Sequence, residues 1–230
     1  MWSDYATTAV RTGGPGPKGI SLLVVPLKKT SGVHCRAMEI SAGTISGTTY
    51  IEFDDVLVPT NNLVGVEGQG FKYILTNFNH ERLSLALSAT AQARKVQSTT
   101  FEYVTRREAF GKRLIDQPVV RHRLAKTGAE LEAVWAWVEQ LVHAMATLTK
   151  EDADRLLGGQ TALVKVRAGK VLEKCVSSAQ LLLGGNSVTR SGQGELIEST
   201  SRVSFFSYDT HWTVSYSDCA RGRIDPDSWR

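Results

Sequence analysis

Hydrophobic and polar positions follow two different periods along this chain, and the change falls near residue 66. In the first part the run Ile20-Ser21-Leu22-Leu23-Val24-Val25-Pro26-Leu27 follows the breaker cluster Gly13-Gly14-Pro15-Gly16-Pro17. A short apolar run bounded in this way predicts a buried strand, and Pro26 marks either a sheet edge or the strand's end. Thr48-Thr49-Tyr50-Ile51-Glu52-Phe53-Asp54 alternates side by side, as a half-buried strand does. Asn61, Asn62, Gly65, Gly68 and Gly70 then make a loop.

From Phe71 the spacing becomes helical. Leu83, Leu85, Ala86, Ala89, Ala93 and Val96, continued by Phe101 and Val104, predict a small-residue face on a helix that ends at Arg107. After Pro118, which suits a first helical position, Leu124, Leu131, Trp135, Val138, Val142 and Met145 predict a second helix. A third runs from about Glu151, with Glu151, Asp152 and Asp154 at its dipole-favoured start, to Leu183, where Gly184-Gly185 ends it. The reading is an α+β chain: a partial β-sheet followed by an antiparallel α-helical bundle. The boundaries expected are 1–66 for the β part, 67–198 for the bundle and 199–230 for a divergent tail rich in Ser, Thr and aromatic residues.

Composition narrows the class. The 230 residues are 42% hydrophobic and 22% charged, which excludes a disordered chain, and no window of eighteen apolar residues occurs, which excludes a transmembrane helix. The net charge of +4 comes from Lys and Arg interspersed with Asp and Glu, a weak pointer to an anionic small molecule and no argument for nucleic acid. Cys35, Cys175 and Cys219 are odd in number and far apart, which fits neither a disulfide framework nor a zinc site and suits a reducing, intracellular setting. The opening residues carry no signal or transit pattern, so no address is read from them.

Four places hold chemistry, each with an ordinary alternative. Glu81 and Arg82 lie about 100° apart on a helix, so the carboxylate can serve as a base in an apolar cleft or be half of an exposed charged pair. Arg107, Phe110 and Gly111 put a cation and an aromatic at a helix end, which is also how helices are capped. Gln180 with Gly184-Gly185 offers backbone amides to a phosphate, or simply terminates a helix. His80 and His122 have no partner at metal spacing, and Trp135 and Trp137 cannot share one helix face.

Taken in order, Gly19 to Leu27, Phe53-Asp54-Asp55-Val56-Leu57-Val58-Pro59, Asn62-Leu63-Val64-Gly65, Gly70-Phe71, Glu81-Arg82-Leu83, Arg107-x-x-Phe110-Gly111-Lys112 and Leu183-Gly184-Gly185-Asn186 resemble the acyl-CoA dehydrogenase family over residues 2–198. The resemblance implies the C-terminal part of that family's chain, with a barrel-like β middle domain and a helical bundle. It implies FAD as cofactor and an acyl-CoA substrate oxidised to a trans-2-enoyl-CoA. Glu81 matches the base glutamate of the long-chain and isovaleryl types. Arg82 matches an arginine on the CoA side, and Asn79 stands at a CoA-pantetheine contact with a changed residue type.

For the flavin, Arg107 and Phe110 match residues that reach a neighbouring subunit's FAD, Gln117 a glutamine near the adenosine, and Gly184 and Gly185 the diglycine at the partner's cofactor. Gln180 stands four residues before Gly184, where the family spacing is three, and Ser187 replaces a common glycine. A homo-oligomer, dimer or tetramer, and an electron-transfer partner follow from the same resemblance. So does the expectation that the family's helical domain and flavin-facing strand lie upstream of Met1, leaving this chain a poor catalyst by itself. The alternatives are an acyl-CoA oxidase or nitroalkane oxidase, and a flavin-less remnant acting as a helical interaction module.

Overall fold

A computed structural model describes residues 2–39 and 47–207. The chain divides into two compact units, split within its first long helix between Asn77 and Phe78.

The first unit carries β1 to β5. β1 (Tyr5–Arg11), β2 (Ile20–Pro26) and β5 (Leu63–Val64) form one antiparallel sheet in the order β1-β2-β5, and β3 (Val33–Ala37) pairs with β4 (Thr49–Phe53) in a second. The two predicted strands are β2 and β4. β2 is central, with Ile20, Leu22 and Val25 buried, so Pro26 marks a strand end and not an edge. β1 escaped notice because its inward positions are Ala6, Thr8 and Val10, too small and mixed to give an apolar alternation. β3 escaped it because four of its five residues are exposed.

The loop that closes this unit is tied to β2. Asn62 Nδ2 donates to the Val24 carbonyl at 2.8 Å, and the Gly68 amide donates to the buried Ser21 Oγ at 2.9 Å. Gly70 then starts α1 (Gly70–Arg106) so close to β2 that a Cβ would lie 2.6 Å from the Ser21 carbonyl carbon. Gly70 is therefore a packing requirement for the entry of the helix.

The second unit is the helical bundle. It consists of α1 from Phe78 onward, α2 (Pro118–Thr147), α3 (Lys150–Leu183), a 3-10 turn (Gly184–Val188) and α4 (Gln193–Ser207). Its core contains Leu83, Ala86, Ala89, Ala93 and Val96 of α1, Leu131, Val134, Val138 and Leu141 of α2, and a long stripe of α3 ending at Leu183. Leu85 is only partly buried, while Phe101 and Val142 are exposed, at the edges of their helical stripes. The antiparallel order shows in cross-helix bonds: Gln97 reaches the Leu124 carbonyl while Arg94 holds Glu132, and Trp137 meets Gln160 while Glu130 holds Lys174. Thr149 caps α3 by accepting from the Asp152 amide at 3.2 Å, which places Glu151 and Asp152 in the first turn as the charge pattern predicts.

The sequence boundary at residue 199 falls inside α4, which runs on to Ser207. Residues 208–230 of the expected tail, with Cys219, lie outside the described residues.

Candidate functional site

The predicted site residues fall into two groups at opposite ends of the bundle. Asn79, Glu81 and Arg82 occupy the early part of α1, and Arg107 follows its last turn. At 1.5 Å per residue, the 26 residues from Glu81 to Arg107 separate the groups by roughly 40 Å.

At the first end Asn79 is 5% exposed and its amide packs against Gly158 of α3; a Cβ on Gly158 would stand 3.3 Å from Oδ1. Glu81 is exposed and, two residues on, points about 160° away from Asn79 around the helix axis. Arg82 is half-buried, its guanidinium 5.5 Å from the centre of the Phe78 ring. Arg82 thus lies against Phe78, about 100° round the helix from Glu81, while Asn79 is turned inward as a packing contact between helices.

At the other end four segments meet. Val104, Val120 and Leu124 form a small core with Tyr103, Leu114, Ile115 and Leu182, which joins the end of α1, the start of α2 and the end of α3. Asn186 Nδ2 donates to the Tyr103 hydroxyl at 3.2 Å, so the diglycine is tied one turn from Arg107. Neither Tyr103 nor Asn186 was marked by the sequence pattern as a site residue; Tyr103 stands four before Arg107 and Asn186 directly after Gly185.

Between α1 and α2 the chain makes a tight hairpin, β6 (Glu108–Ala109) with β7 (Lys112–Arg113). Its turn is Phe110-Gly111, with φ of 56° and 75°, the two positive values that a type I′ turn needs. The Leu114 amide donates to the Arg107 carbonyl at 2.8 Å and fixes the hairpin to the helix end. Phe110 is 92% exposed, so a large apolar ring sits in a left-handed backbone that costs about 1 kcal/mol and contacts little of its own chain. Folding of this chain gives no reason for a phenylalanine there.

Gly184 has φ of 57°, which favours glycine, whereas Gly185 has no such backbone demand. A Cβ on either would meet nothing within 4 Å. Arg107 is exposed, and Gln117 is half-buried in extended backbone, its carbonyl accepting from the Val120 and Arg121 amides. Gln180 is committed elsewhere: its Nε2 donates to Ser201 Oγ at 3.1 Å, linking α3 to α4, and Leu181 is exposed beside it. An unshielded guanidinium, an outward aromatic and open glycine backbone together fit a flat dinucleotide with a pyrophosphate.

Elsewhere ion pairs join the helices of the bundle. Glu130 accepts from Lys174 at 2.8 Å and Arg167 at 3.0 Å, and the Lys174 bond holds its carboxyl below the usual range. Burial, reinforced by the Glu130 charge, pushes the Cys175 thiol up to about 12. Arg94 stacks 4.2 Å over Trp135 and pairs with Glu132, while Trp137 packs against the core. Among the described residues no His, Cys, Asp and Glu group suits a metal ion, and no helix is long and apolar enough to cross a membrane.

Comparison with known proteins agrees with this layout. The profile of the family "Acyl-CoA dehydrogenase, C-terminal domain" matches residues 68–204. The chain belongs to the acyl-CoA dehydrogenase family. It is 57% identical over 202 residues to acyl-CoA dehydrogenase apdG of Emericella nidulans, a match covering 88% of this chain and 46% of that protein. Mitochondrial isobutyryl-CoA dehydrogenase of Bos taurus is 31% identical over 153 residues, covering 66% of this chain and 36% of the relative. The crystal structure of an acyl-CoA dehydrogenase from Geobacillus kaustophilus superposes with a TM-score of 0.74 at 28% identity, covering 89% of this chain and 53% of that one. The chain thus spans about half the length, or less, of the relatives it matches. The family match through residue 204 also brings most of α4 into the family fold. Members of this family are FAD enzymes, and the sheet followed by a helical bundle is the arrangement that these residues were expected to adopt.

Proposed function

We propose that this chain is the C-terminal part of an FAD-dependent dehydrogenase that oxidises an acyl-CoA thioester to a trans-2-enoyl-CoA, with Glu81 as the base that removes the α-proton. The observation that carries the reading is the division of one helix. Its early turns present a carboxylate beside a cation, while its far end gathers Arg107, Phe110, Gln117 and Gly184-Gly185. Bound FAD supplies the acceptor for the hydride that leaves the β-carbon. Glu81 takes the proton on a carboxylate oxygen, and Arg82, braced on Phe78, offers charge to the CoA side of the substrate. Asn79 sets the rotation of that turn by packing on Gly158. Arg107 and the open glycine backbone would hold a cofactor's pyrophosphate, and Phe110 would offer an apolar face to its rings.

The two groups stand too far apart to serve one cofactor from one chain. In this reading Glu81 acts at its own subunit's flavin while the Arg107 end holds a neighbour's, so the working protein is at least a dimer.

The test is Glu81→Gln in a family-length version of the protein, followed by the bleaching of its flavin on mixing with an acyl-CoA. An amide of the same shape cannot accept the proton, so reduction slows by about 10² to 10⁴ while FAD stays bound. Reduction at nearly the unmodified rate means that Glu81 is not the base and that the Glu-Arg-Leu turn is structural.

A further inference from the structure

We infer that the cleft between α2 and α3 is a second anion site that takes a phosphate-bearing small molecule through a phosphomonoester or pyrophosphate group. This inference does not rest on the dehydrogenase reading: it uses other residues and is tested without turnover.

The cleft has a volume of about 570 Å³, within the range of small-molecule pockets. Four cations line it, Arg123 and Lys126 from α2 and Lys170 and Lys174 from α3, against the carboxylates Glu130 and Glu173, a formal excess of +2 with His122 neutral. Glu130 is already engaged by Lys174 and Arg167. Arg123, Lys126 and Lys170 bond to no carboxylate among the described residues. Lys170 and Lys174 stand four residues apart on one helix face, a like-charge spacing that weakens a helix unless an anion or solvent intervenes.

The second observation is a hydroxyl. Ser178, four residues beyond Lys174 on the same line of α3, lines the cleft at 3% exposure. Its Oγ is the one buried side-chain polar atom without a hydrogen-bond partner among the described residues. The buried threonines of α1, α2 and α3 do not share this condition: Thr90, Thr100 and Thr127 donate to the carbonyl four residues back, and Thr161 to Gly158. A buried hydroxyl left unpaired is unfavourable, and a turn of the Ser178 side chain about its Cα–Cβ bond lets the hydroxyl meet a ligand oxygen in the cleft. Cations on both walls with a hydroxyl on one suit an anion with three or more outward oxygens better than a planar carboxylate.

The experiment is calorimetric titration of the full chain with inorganic phosphate, pyrophosphate, ADP and, as a planar-anion comparison, acetate. The three phosphate probes separate a free phosphate from one borne on a larger molecule. Pyrophosphate or ADP should bind with one site per chain, and acetate should not. Lys126→Gln with Lys170→Gln should weaken binding at least 10-fold, Ser178→Ala about 3-fold, and Lys95→Gln, on exposed α1 surface, not at all; if the double variant loses its helical circular dichroism, Lys170→Gln alone is used. Binding that survives the cleft variants, or that Arg107→Ala abolishes, locates the anion elsewhere and overturns the inference. Sedimentation run in parallel covers the remaining outcome: if cleft variants alter the assembly mass while no phosphate probe binds, the cleft holds a second copy's carboxylates and the inference is wrong.

Discussion

Gly185→Ala separates a glycine that the fold needs from one that a ligand needs. Within this chain a methyl group at position 185 meets nothing within 4 Å and requires no left-handed backbone, so folding loses nothing by the change. Replacing glycine where alanine is sterically free stabilises by about 0.4–1 kcal/mol, chiefly by restricting the unfolded chain. Gly184→Ala is the built-in contrast: it finds the same open space, but its φ of 57° with ψ of −134° is a backbone that L side chains avoid, which makes the methyl unfavourable by about 1–3 kcal/mol. Without cofactor, Gly185→Ala should therefore melt above the unmodified chain and Gly184→Ala below it. If the open space at 185 is where a cofactor's phosphates approach the backbone, the same methyl fills it. FAD affinity of the family-length protein should then fall at least about 10-fold, equivalent to about 1.4 kcal/mol. Melting followed by circular dichroism reads the first effect, and equilibrium dialysis of the flavin reads the second. A Gly185→Ala variant that gains stability and keeps FAD undiminished shows that nothing approaches this glycine, and the cofactor assignment of the diglycine fails. If Gly185→Ala is as unstable as Gly184→Ala, the space is not open and the structural premise fails.

Further expectations concern the bundle. Glu130→Gln removes the carboxylate that joins Arg167 to Lys174 and should destabilise the fold by about 1 kcal/mol, read by denaturant melts. Because the folded-state pKa of Glu130 lies below its ordinary value of 4.5, that contribution is complete above about pH 4.5 and is lost as pH falls through the lower folded value; equal acid profiles for the variant and the unmodified chain would contradict the assignment. Cys175 is buried, with its thiol raised from an ordinary 9.0 to about 12, so in a Cys219→Ser background exposed Cys35 should react with a thiol reagent at once and Cys175 only on unfolding. The same shift predicts that stability declines as pH rises above about 9, because the unfolded chain then releases a proton that the folded one retains. A shallower decline from about pH 8 to 11 in a Cys175→Ser variant than in its parent is the confirming pair, since Tyr and Lys groups titrate equally in both.

The helices were legible because their signal is repeated: Leu124, Leu131 and Val138 recur on one face over many turns and are all buried. β2 was legible because it is central and continuously apolar, whereas β1 buries small residues and β3 is mostly exposed, and neither leaves a pattern. At the candidate site residue types were legible but directions were not. Asn79 and Glu81 look alike as polar residues within one turn, yet one packs on Gly158 and the other faces outward, because two residues along a helix reverse the side. The tie between Tyr103 and Asn186 spans 83 positions and carries no local signal, so the gathering of the Arg107 end is visible only in three dimensions.

The separation of the two groups along α1 leads to a test that depends on which subunit each group serves. Suppose Glu81 acts at its own subunit's cofactor and Arg107 holds the neighbour's. Then Glu81→Gln and Arg107→Ala, each weak as a uniform assembly, should complement when their subunits are mixed in family-length form. In a mixed dimer one cofactor meets the altered base and the altered arginine together, while the other meets an intact Glu81 from one subunit and an intact Arg107 from its neighbour. Random mixing makes half the dimers mixed, and half the sites in those are whole, so activity should return to about one quarter of the unmodified level. If Arg107 instead served its own subunit's cofactor, no site in a mixed dimer would hold both intact groups, and mixing would restore nothing. The roughly 40 Å that one helix sets between Glu81 and Arg107 makes the first outcome the expected one, since a single bound cofactor would otherwise have to reach both ends of the bundle. Assay of the mixture after unfolding and reassembly, with each variant reassembled alone as its baseline, decides between them.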